Sequence, residues 1–303
     1  MRTATRSDDA PARSRHRCRD LALCGTALLL TAALAGLVPG SALDSFLPWL
    51  AVPAAALAVL SALLRSRRGT ATALVPLLVW AGLFAPQMLA ADRGGPAALV
   101  VASHNLGGRA DAASVARSGA DLVALQEITA ANSAPVSARL DPTHPYRARV
   151  GTVGLWSRYP LREVSRIDLG QGWARALHAV AATPEGPVSV YAVHLASVRI
   201  GHTALRDRTL RALTQHVRAD PTARLLVLGD LNTASTDPLL APLTETLSDA
   251  RAGFQFTWPA GFPLTRPDHI LTRGFAAVRT AVLPAGGSDH RAVLAGLAGH
   301  PGA

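Results

Sequence analysis

The sequence predicts an α+β domain preceded by three transmembrane helices. Three observations predict it: apolar runs of membrane-spanning length within residues 21–91, short strand-like runs across residues 97–303, and polar residues placed where those runs end. The chain has 303 residues, 49% of them hydrophobic, with mean hydropathy +0.23. The apolar excess sits in the first third. The ~200 residues that remain are enough for one large core.

Residues 1–20 form a basic N-terminus, expected in the cytoplasm. Leu21–Val38, Phe46–Leu64 and Thr70–Ala91 each come close to the ~20 residues that a bilayer-spanning helix needs. None has the polar face of a buried soluble helix. Pro53, Pro76 and Pro86 would break soluble helices but are tolerated in membrane ones. Arg13, Arg15, Arg17 and Arg19 precede the first run, and Arg65, Arg67 and Arg68 separate the second from the third. The loop Pro39–Ser45 has no Arg. The positive-inside rule therefore puts both Arg clusters in the cytoplasm and residues 92–303 outside. The first run also has the basic, apolar, small-residue order of a signal peptide, and cleavage there would leave the domain on the same side. The linker, residues 92–96, reaches at most ~17–18 Å when extended.

All 30 basic residues are Arg, which, with the richness in Ala, reads as coding bias. Residues 1–96 hold ten Arg against five acids and residues 97–303 twenty against fifteen, so each part carries about half of the +10 net charge. A charge that mild suits an anionic substrate or membrane surface and is thin support for a nucleic-acid groove. Cys18 and Cys24 both lie before residue 97. The domain therefore has no disulfide framework, thiol nucleophile or cysteine-based zinc site.

Within residues 97–303, Ala97–Asn105 and Asp121–Gln126 read as strands around a short helix at Ala112–Ser118. Val153–Ser157, Val188–Leu195, Leu225–Leu228, His269–Leu271 and Ala292–Leu297 are further strands. Thr203–Ala219 reads as a helix, with Leu205, Leu210, Leu213 and Val217 at near-helical spacing. Gly170–Gly172, Pro184–Pro187 and Pro284–Gly287 mark loops.

Polar residues stand at the strand ends. LVVASHN ends on Asn105, LVALQE on Glu127, VYAVH on His194, and VLGDLN on Asp230 and Asn232; PDHI starts at Asp268, and SDH places Asp289 and His290 before the last strand. A strand-end Asp or Asn is ordinarily a turn former or helix cap. Six segments with the same feature point instead to one shared pocket, because strand ends on one rim converge. Residues i and i+2 of a strand face the same way, so Asp230 and Asn232 are expected to aim at one point.

The ordered set Asn105, LQE (125–127), WSRYPL (156–161), VHL (193–195), GDLN (229–232), RPDHIL (266–271) and GSDH (287–290) resembles the endonuclease/exonuclease/phosphatase superfamily, which is DNase I-like. The resemblance covers Leu99 to Leu297. It implies a four-layer α/β/β/α sandwich with the site at its top. Pro267 stands where the family usually has an aliphatic residue. The resemblance also implies a metal-dependent phosphoester hydrolase using Mg²⁺ or Mn²⁺, which take hard oxygen ligands. It makes Glu127 the main metal ligand with Asn105 and Asp289 nearby. Asp230 would orient or activate water, and Asn232 would bond a phosphate oxygen or a catalytic neighbour. Asp268 would polarise His290 against the phosphate, and His194 would contact phosphate or protonate the leaving group. His104, on the opposite strand face, reads as packing, and His178, His202 and His216 as surface or structural residues. Arg175 reads as a solvated or structural Arg or as one that reaches phosphate. Trp258 and Phe262 read as loop packing or as an apolar lip.

Three spans followed by this domain, with the segment Gly253–Leu271, resemble the VanJ-type membrane proteins linked to teicoplanin resistance. That resemblance implies a phosphorylated lipid such as undecaprenyl pyrophosphate as substrate, met at the outer leaflet of the cell membrane. The alternatives are an extracytoplasmic nuclease, a sphingomyelinase-like phosphodiesterase and a non-enzymatic membrane scaffold.

Overall fold

A computed structural model describes residues 9–36, 42–89, 92–198 and 203–299 of the chain. It divides into two compact units, Met1–Met88 and Leu89–Ala303.

The first unit is helical: α1 (Asp9–Leu34), a 3₁₀ segment (Ala42–Leu50), α2 (Ala51–Leu63) and α3 (Arg67–Leu89). Among the described residues, two stretches are long and apolar enough to cross a membrane, Asp44–Leu63 and Arg67–Leu89. The first expected span differs. The charge-free part of α1 runs only from Leu21 to Leu34, about 21 Å of helix, against a hydrocarbon core of ~30 Å. Val38, Ala91 and residues 39–41 of the loop Pro39–Ser45 lie outside the described residues. Arg19 and Asp20, near the middle of α1, meet the turn between α2 and α3. Ser66 Oγ donates to Asp20 Oδ1 at 2.7 Å, and Arg19 Nη1 donates to the Leu64 carbonyl at 3.1 Å. Arg19, the last of the first Arg cluster, therefore lies beside the segment that carries the second.

The second unit holds β1 (Leu99–Asn105), α4 (Ala113–Ala116), β2 (Leu122–Gln126), α5 (Ser133–Leu140), β3 (Tyr146–Val150), β4 (Val153–Ser157), β5 (Leu161–Arg166), β6 (Ala176–Thr183), β7 (Gly186–His194), α6 (Ala204–Ala219), β8 (Leu225–Asp230), α7 (Ala241–Thr244), β9 (Ser248–Asp249), β10 (Asp268–Arg273), β11 (Phe275–Leu283) and β12 (Ala292–Gly299). One sheet has the order β11-β12-β1-β2-β4-β3 and the other β5-β6-β7-β8-β10-β9. Both are mixed: β1 and β2 pair in parallel, as do β7 and β8, and the other pairs are antiparallel.

Side-chain alternation explains the layers. Leu226 and Leu228 join Leu99, Val101, Leu177, Val190 and Ile270 between the sheets. Leu225 and Val227 point the other way, onto Leu210, Leu213 and Val217 of α6. Val123 and Leu125 meet Val115 of α4 and Val136 and Leu140 of α5 on the remaining outer face. Strands covered on both faces read as unbroken apolar runs. The result is the expected sandwich of two sheets with flanking helices.

Two details correct the sequence reading. The stripe of α6 is Arg206, Leu210, Leu213 and Val217, because Leu205 is exposed and Arg206 buried. The linker is not a free tether: Thr280 donates through its amide and hydroxyl to Asp92 Oδ1 at 3.0 and 2.9 Å, and Gly94 N donates to the Val278 carbonyl. Residues 92–94 thus lie along β11, an edge strand.

Gly229 lets β7 and β8 close up. A Cβ there would lie 2.0 Å from the Val193 carbonyl oxygen, so the backbone itself would have to move. We expect Gly229→Ala to cost ~3 kcal/mol, lowering the melting temperature by ~6–12 °C when unfolding of the detergent-solubilised chain is followed by tryptophan fluorescence.

Candidate active site

The same alternation aims the polar strand ends. Asn105 shares the inner face with Leu99 and Val101, Asp230 with Leu226 and Leu228, His194 with Val190 and Ala192, and Asp268 with Ile270. All four reach into the gap between the sheets at one rim. Register brings them together: Asn105 pairs with Gln126, beside Glu127, while Asp230 pairs with both His194 and Asp268.

Hydrogen bonds cross that gap. Asn105 Nδ2 donates to Asp230 Oδ2 at 2.9 Å and lies 3.3 Å from Glu127 Oε1. His290 Nδ1 donates to Asp268 Oδ2 at 2.9 Å, and the other imidazole nitrogen faces Asp230 Oδ2 at 3.9 Å. His194 Nε2 is 3.6 Å from Asp230 Oδ2 and 3.9 Å from Glu127 Oε1. Thr257 Oγ1 donates to Asp268 Oδ2 at 2.5 Å. His104 is buried on the opposite face with Nε2 3.2 Å from the His290 carbonyl, a packing role as expected.

Surroundings set the charges. Burial acts to lower His290, but the Asp268 charge, its hydrogen bond and then Asp230 raise it to about 10. Burial acts to raise Asp268, yet His290 and Thr257 hold it below the usual carboxylate range. Burial, ahead of every other influence, raises Asp230 to about 7. His194 is lowered to about 3, by burial first and then by Arg175 and His290. One histidine is thus an imidazolium and the other neutral.

Asp230, Asp268 and His290 lie close enough together to hold a metal ion. We read them instead as a proton-bearing ion-pair relay, because a protonated imidazole has no lone pair to offer a metal. Glu127 fits a divalent cation better. Its residue is left-handed (φ 57°), turned into the site just past β2, and its carboxylate has no cationic side chain within ion-pair distance among the described residues, only the neutral His194. Its carboxylate offers hard oxygen donors, which suit Mg²⁺ or Mn²⁺; Asn105 turns Nδ2 towards it, and the Asn105 Oδ1, which accepts from Gly107 N at 3.0 Å, keeps one further lone pair.

Two predicted residues sit differently. Asn232 lies past the end of β8 in a left-handed conformation (φ 46°), so strand alternation does not reach it. Its amide donates to the Leu195 carbonyl at 3.0 Å, and its backbone N–H donates to Asp230 Oδ1 at 2.8 Å. Asp289 is exposed beside Gly107, and its side chain makes no hydrogen bond with Asn105 or Glu127. Pro267 immediately precedes β10 and takes no ladder N–H from it, so Asp268 keeps its register with Asp230. His202 lies outside the described residues. Phe262 is solvent-facing, and Trp258 is partly so.

Sequence reasoning missed Thr257 and Arg206. Arg206 Nη1 donates to Asp237 Oδ2 at 2.8 Å and lies 3.4 Å from the Asn232 carbonyl, fixing the turn after Asp230. The signal was there: 206, 210, 213 and 217 have closer helical spacing than a stripe starting at 205.

The sequence matches the Endonuclease/Exonuclease/phosphatase family over residues 102–290, more than half of the chain. No curated protein sequence matches it. Among solved structures, the D. rerio TDP2 complex with single-strand DNA product is 19% identical, covering 66% of this chain and 98% of that one with a TM-score of 0.56. A mutant beta toxin from Staphylococcus aureus with bound magnesium ions is 17% identical, covering 65% and 98% with a TM-score of 0.52. Sphingomyelinase C from Streptomyces griseocarneus is 18% identical, covering 67% and 99% with a TM-score of 0.50. At these identities the likeness is one of fold.

The Asp268–His290 pair generates a pH prediction. A histidine raised above its unfolded value stabilises fully below about 6.5 and loses that contribution as pH rises through about 10; a lowered carboxylate loses its own as pH falls through its folded value. The stability gap between wild type and Asp268→Asn is therefore expected to be widest in mildly acid solution, above the ordinary carboxylate value of 3.8 and below about 6.5, and to shrink towards pH 10 and in stronger acid, measured by urea unfolding across that range.

Proposed function

The chain belongs to the Endonuclease/Exonuclease/phosphatase family, and we propose that it is a membrane-anchored, metal-dependent phosphoester hydrolase. The observation that carries this is the relay Asp268–His290–Asp230, buried at one rim and adjoining Asn105 and Glu127. Phosphoester hydrolysis needs a proton acceptor for water and positive charge for the phosphoryl oxygens. Asp230, poised near neutrality, takes the proton from the attacking water while Asn105 fixes its Oδ2. His290, kept charged by Asp268, donates to a phosphoryl oxygen. Asn232, anchored to Leu195, holds the backbone N–H that orients Asp230. Neutral His194 stands beside Asp230, placed for phosphate contact or for the leaving group. Glu127 and Asn105, with Asp289 on the same rim, would hold Mg²⁺ or Mn²⁺. That ion would polarise the phosphoryl group and offset its charge.

The substrate we propose is a lipid pyrophosphate such as undecaprenyl pyrophosphate, met at the outer leaflet. Two apolar stretches of spanning length support membrane attachment. The linker between the last apolar stretch and the domain is short, residues 92–96. The Arg65–Arg68 turn before α3 favours a cytoplasmic start for that helix, which supports a domain outside.

A phosphate-release screen of the purified chain tests the substrate, with prenyl pyrophosphate, DNA, sphingomyelin and inositol phosphates compared with and without Mg²⁺. Turnover of the prenyl pyrophosphate alone is the expected result, and preference for DNA or sphingomyelin would replace the substrate. EDTA should abolish activity, and Glu127→Gln should raise the metal concentration required. His290→Ala and Asp230→Ala should each lose ~10²–10³ in kcat, and His290→Ala with Asp268→Ala little more than His290→Ala alone. For topology, alkaline phosphatase fused after residue 303 should be active and a cytoplasmic fluorescent protein dark.

A further inference from the structure

Arg175 is a cation at this rim that no step above uses. It immediately precedes β6, where Ala176 pairs with Val193, and its carbonyl accepts from His194 N at 2.8 Å. Cross-strand neighbours of this kind stand ~4.5–5.5 Å apart at Cβ. Arg175 also shares alternation with Leu177 and Ala179, whose side chains lie between the sheets, so it aims at the same gap as His194 and Asp230.

The guanidinium is half-buried, 4.9 Å from the centre of the Trp173 ring. It hydrogen-bonds to none of the described residues. That sets it apart from the buried arginines of this domain: Arg206 and Arg266 spend donors on Asp237 and Asp249. Glu127 and Asp230 act on Arg175 electrostatically, yet it ion-pairs with neither. Trp173 is 63% exposed, so the stacked pair opens to solvent. A guanidinium held on an indole face with its fork of donors unspent is arranged for an anionic oxygen ligand. His290 stands 3.9 Å from Asp230, whereas Arg175 stays beyond ion-pair distance of both carboxylates. Arg175 and His290 thus offer two separate cationic contacts at one rim, which an anion with two adjoining phosphoryl groups can engage together.

We propose that Arg175 binds a second anionic phosphoryl group, the one adjoining the group attacked, and so selects phosphoanhydrides over phosphodiesters whose other arm is neutral. This rests on the hydrolase reading above for its setting and adds the residue that distinguishes the substrates.

The test measures binding without turnover. Methylenediphosphonate and methylphosphonate are titrated calorimetrically, with Mg²⁺, into the full chain in detergent, as wild type, Arg175→Ala and Arg175→Lys. Arg175→Ala should weaken methylenediphosphonate by at least ~10-fold, the loss of one charge-assisted bond, and methylphosphonate by less than ~3-fold on the same scale. Arg175→Lys keeps the charge without the fork and should fall between; it also serves if the alanine variant fails to fold. Equal weakening of both probes, unchanged binding of the diphosphonate, or no preference for it in wild type would overturn the proposal. Selective binding together with no hydrolysis of any phosphoester by wild type would instead overturn the hydrolase reading and leave Arg175 as an anion contact.

Discussion

The hydrogen bond from His290 to Asp268 joins two sheets that share no strand. His290 enters from the segment before β12, and Asp268 opens β10 on the other side. Removing either partner would leave a buried charge alone, which is far more costly than the pair itself is stabilising. The bond therefore fixes how the two rims face each other. Asn105 and Asp230 make the second crossing a few ångströms away. Everything else at the site takes its position from these two crossings, including the aim of His194 and the distance from Glu127 to the relay.

Two histidines in one pocket hold opposite charge states. Both are buried, and burial acts to deprotonate each. His290 has a carboxylate bonded to it and another facing it, so its proton stays. His194 has cations on either side, Arg175 and His290, so its proton goes. The difference lies in the neighbours and not in the histidines, and it divides labour between a fixed positive charge and a group free to accept or pass on a hydrogen bond.

How much of this was legible in the sequence depended on whether a residue obeyed strand alternation. Asn105, His194, Asp230 and Asp268 end or begin strands with strong apolar runs, and they were found. Asn232 lies where the backbone has left the strand, so the alternation rule misplaced its side chain. Asp289 lies in a loop beside Gly107, where no periodicity constrains it. Among the elements, β5 was invisible because it is an edge strand with a largely exposed pattern, LREVSR. The strands β3, β6 and β11 and the helix α5 were also missed; β6 is Ala-rich and gives little contrast between its faces. The first span is not among the two stretches of spanning length in the described residues: α1 ends at Leu34, while the apolar composition that suggested the span continues past it. Arg206 was missed because a guanidinium is not expected on an apolar stripe, although its spacing placed it there.

The strap at residues 92–94 has a second consequence, one of association. β11 is the outermost strand of its sheet, and an uncovered edge presents backbone donors and acceptors that can template another chain. Under the membrane-anchored reading proposed above, copies confined to a membrane plane would meet far more often than molecules free in solution, and in similar orientations, so an open edge would invite strand pairing between them. Asp92 and Gly94 occupy part of that edge from within the same chain. The segment that leads into the domain thereby also shields it from its neighbours.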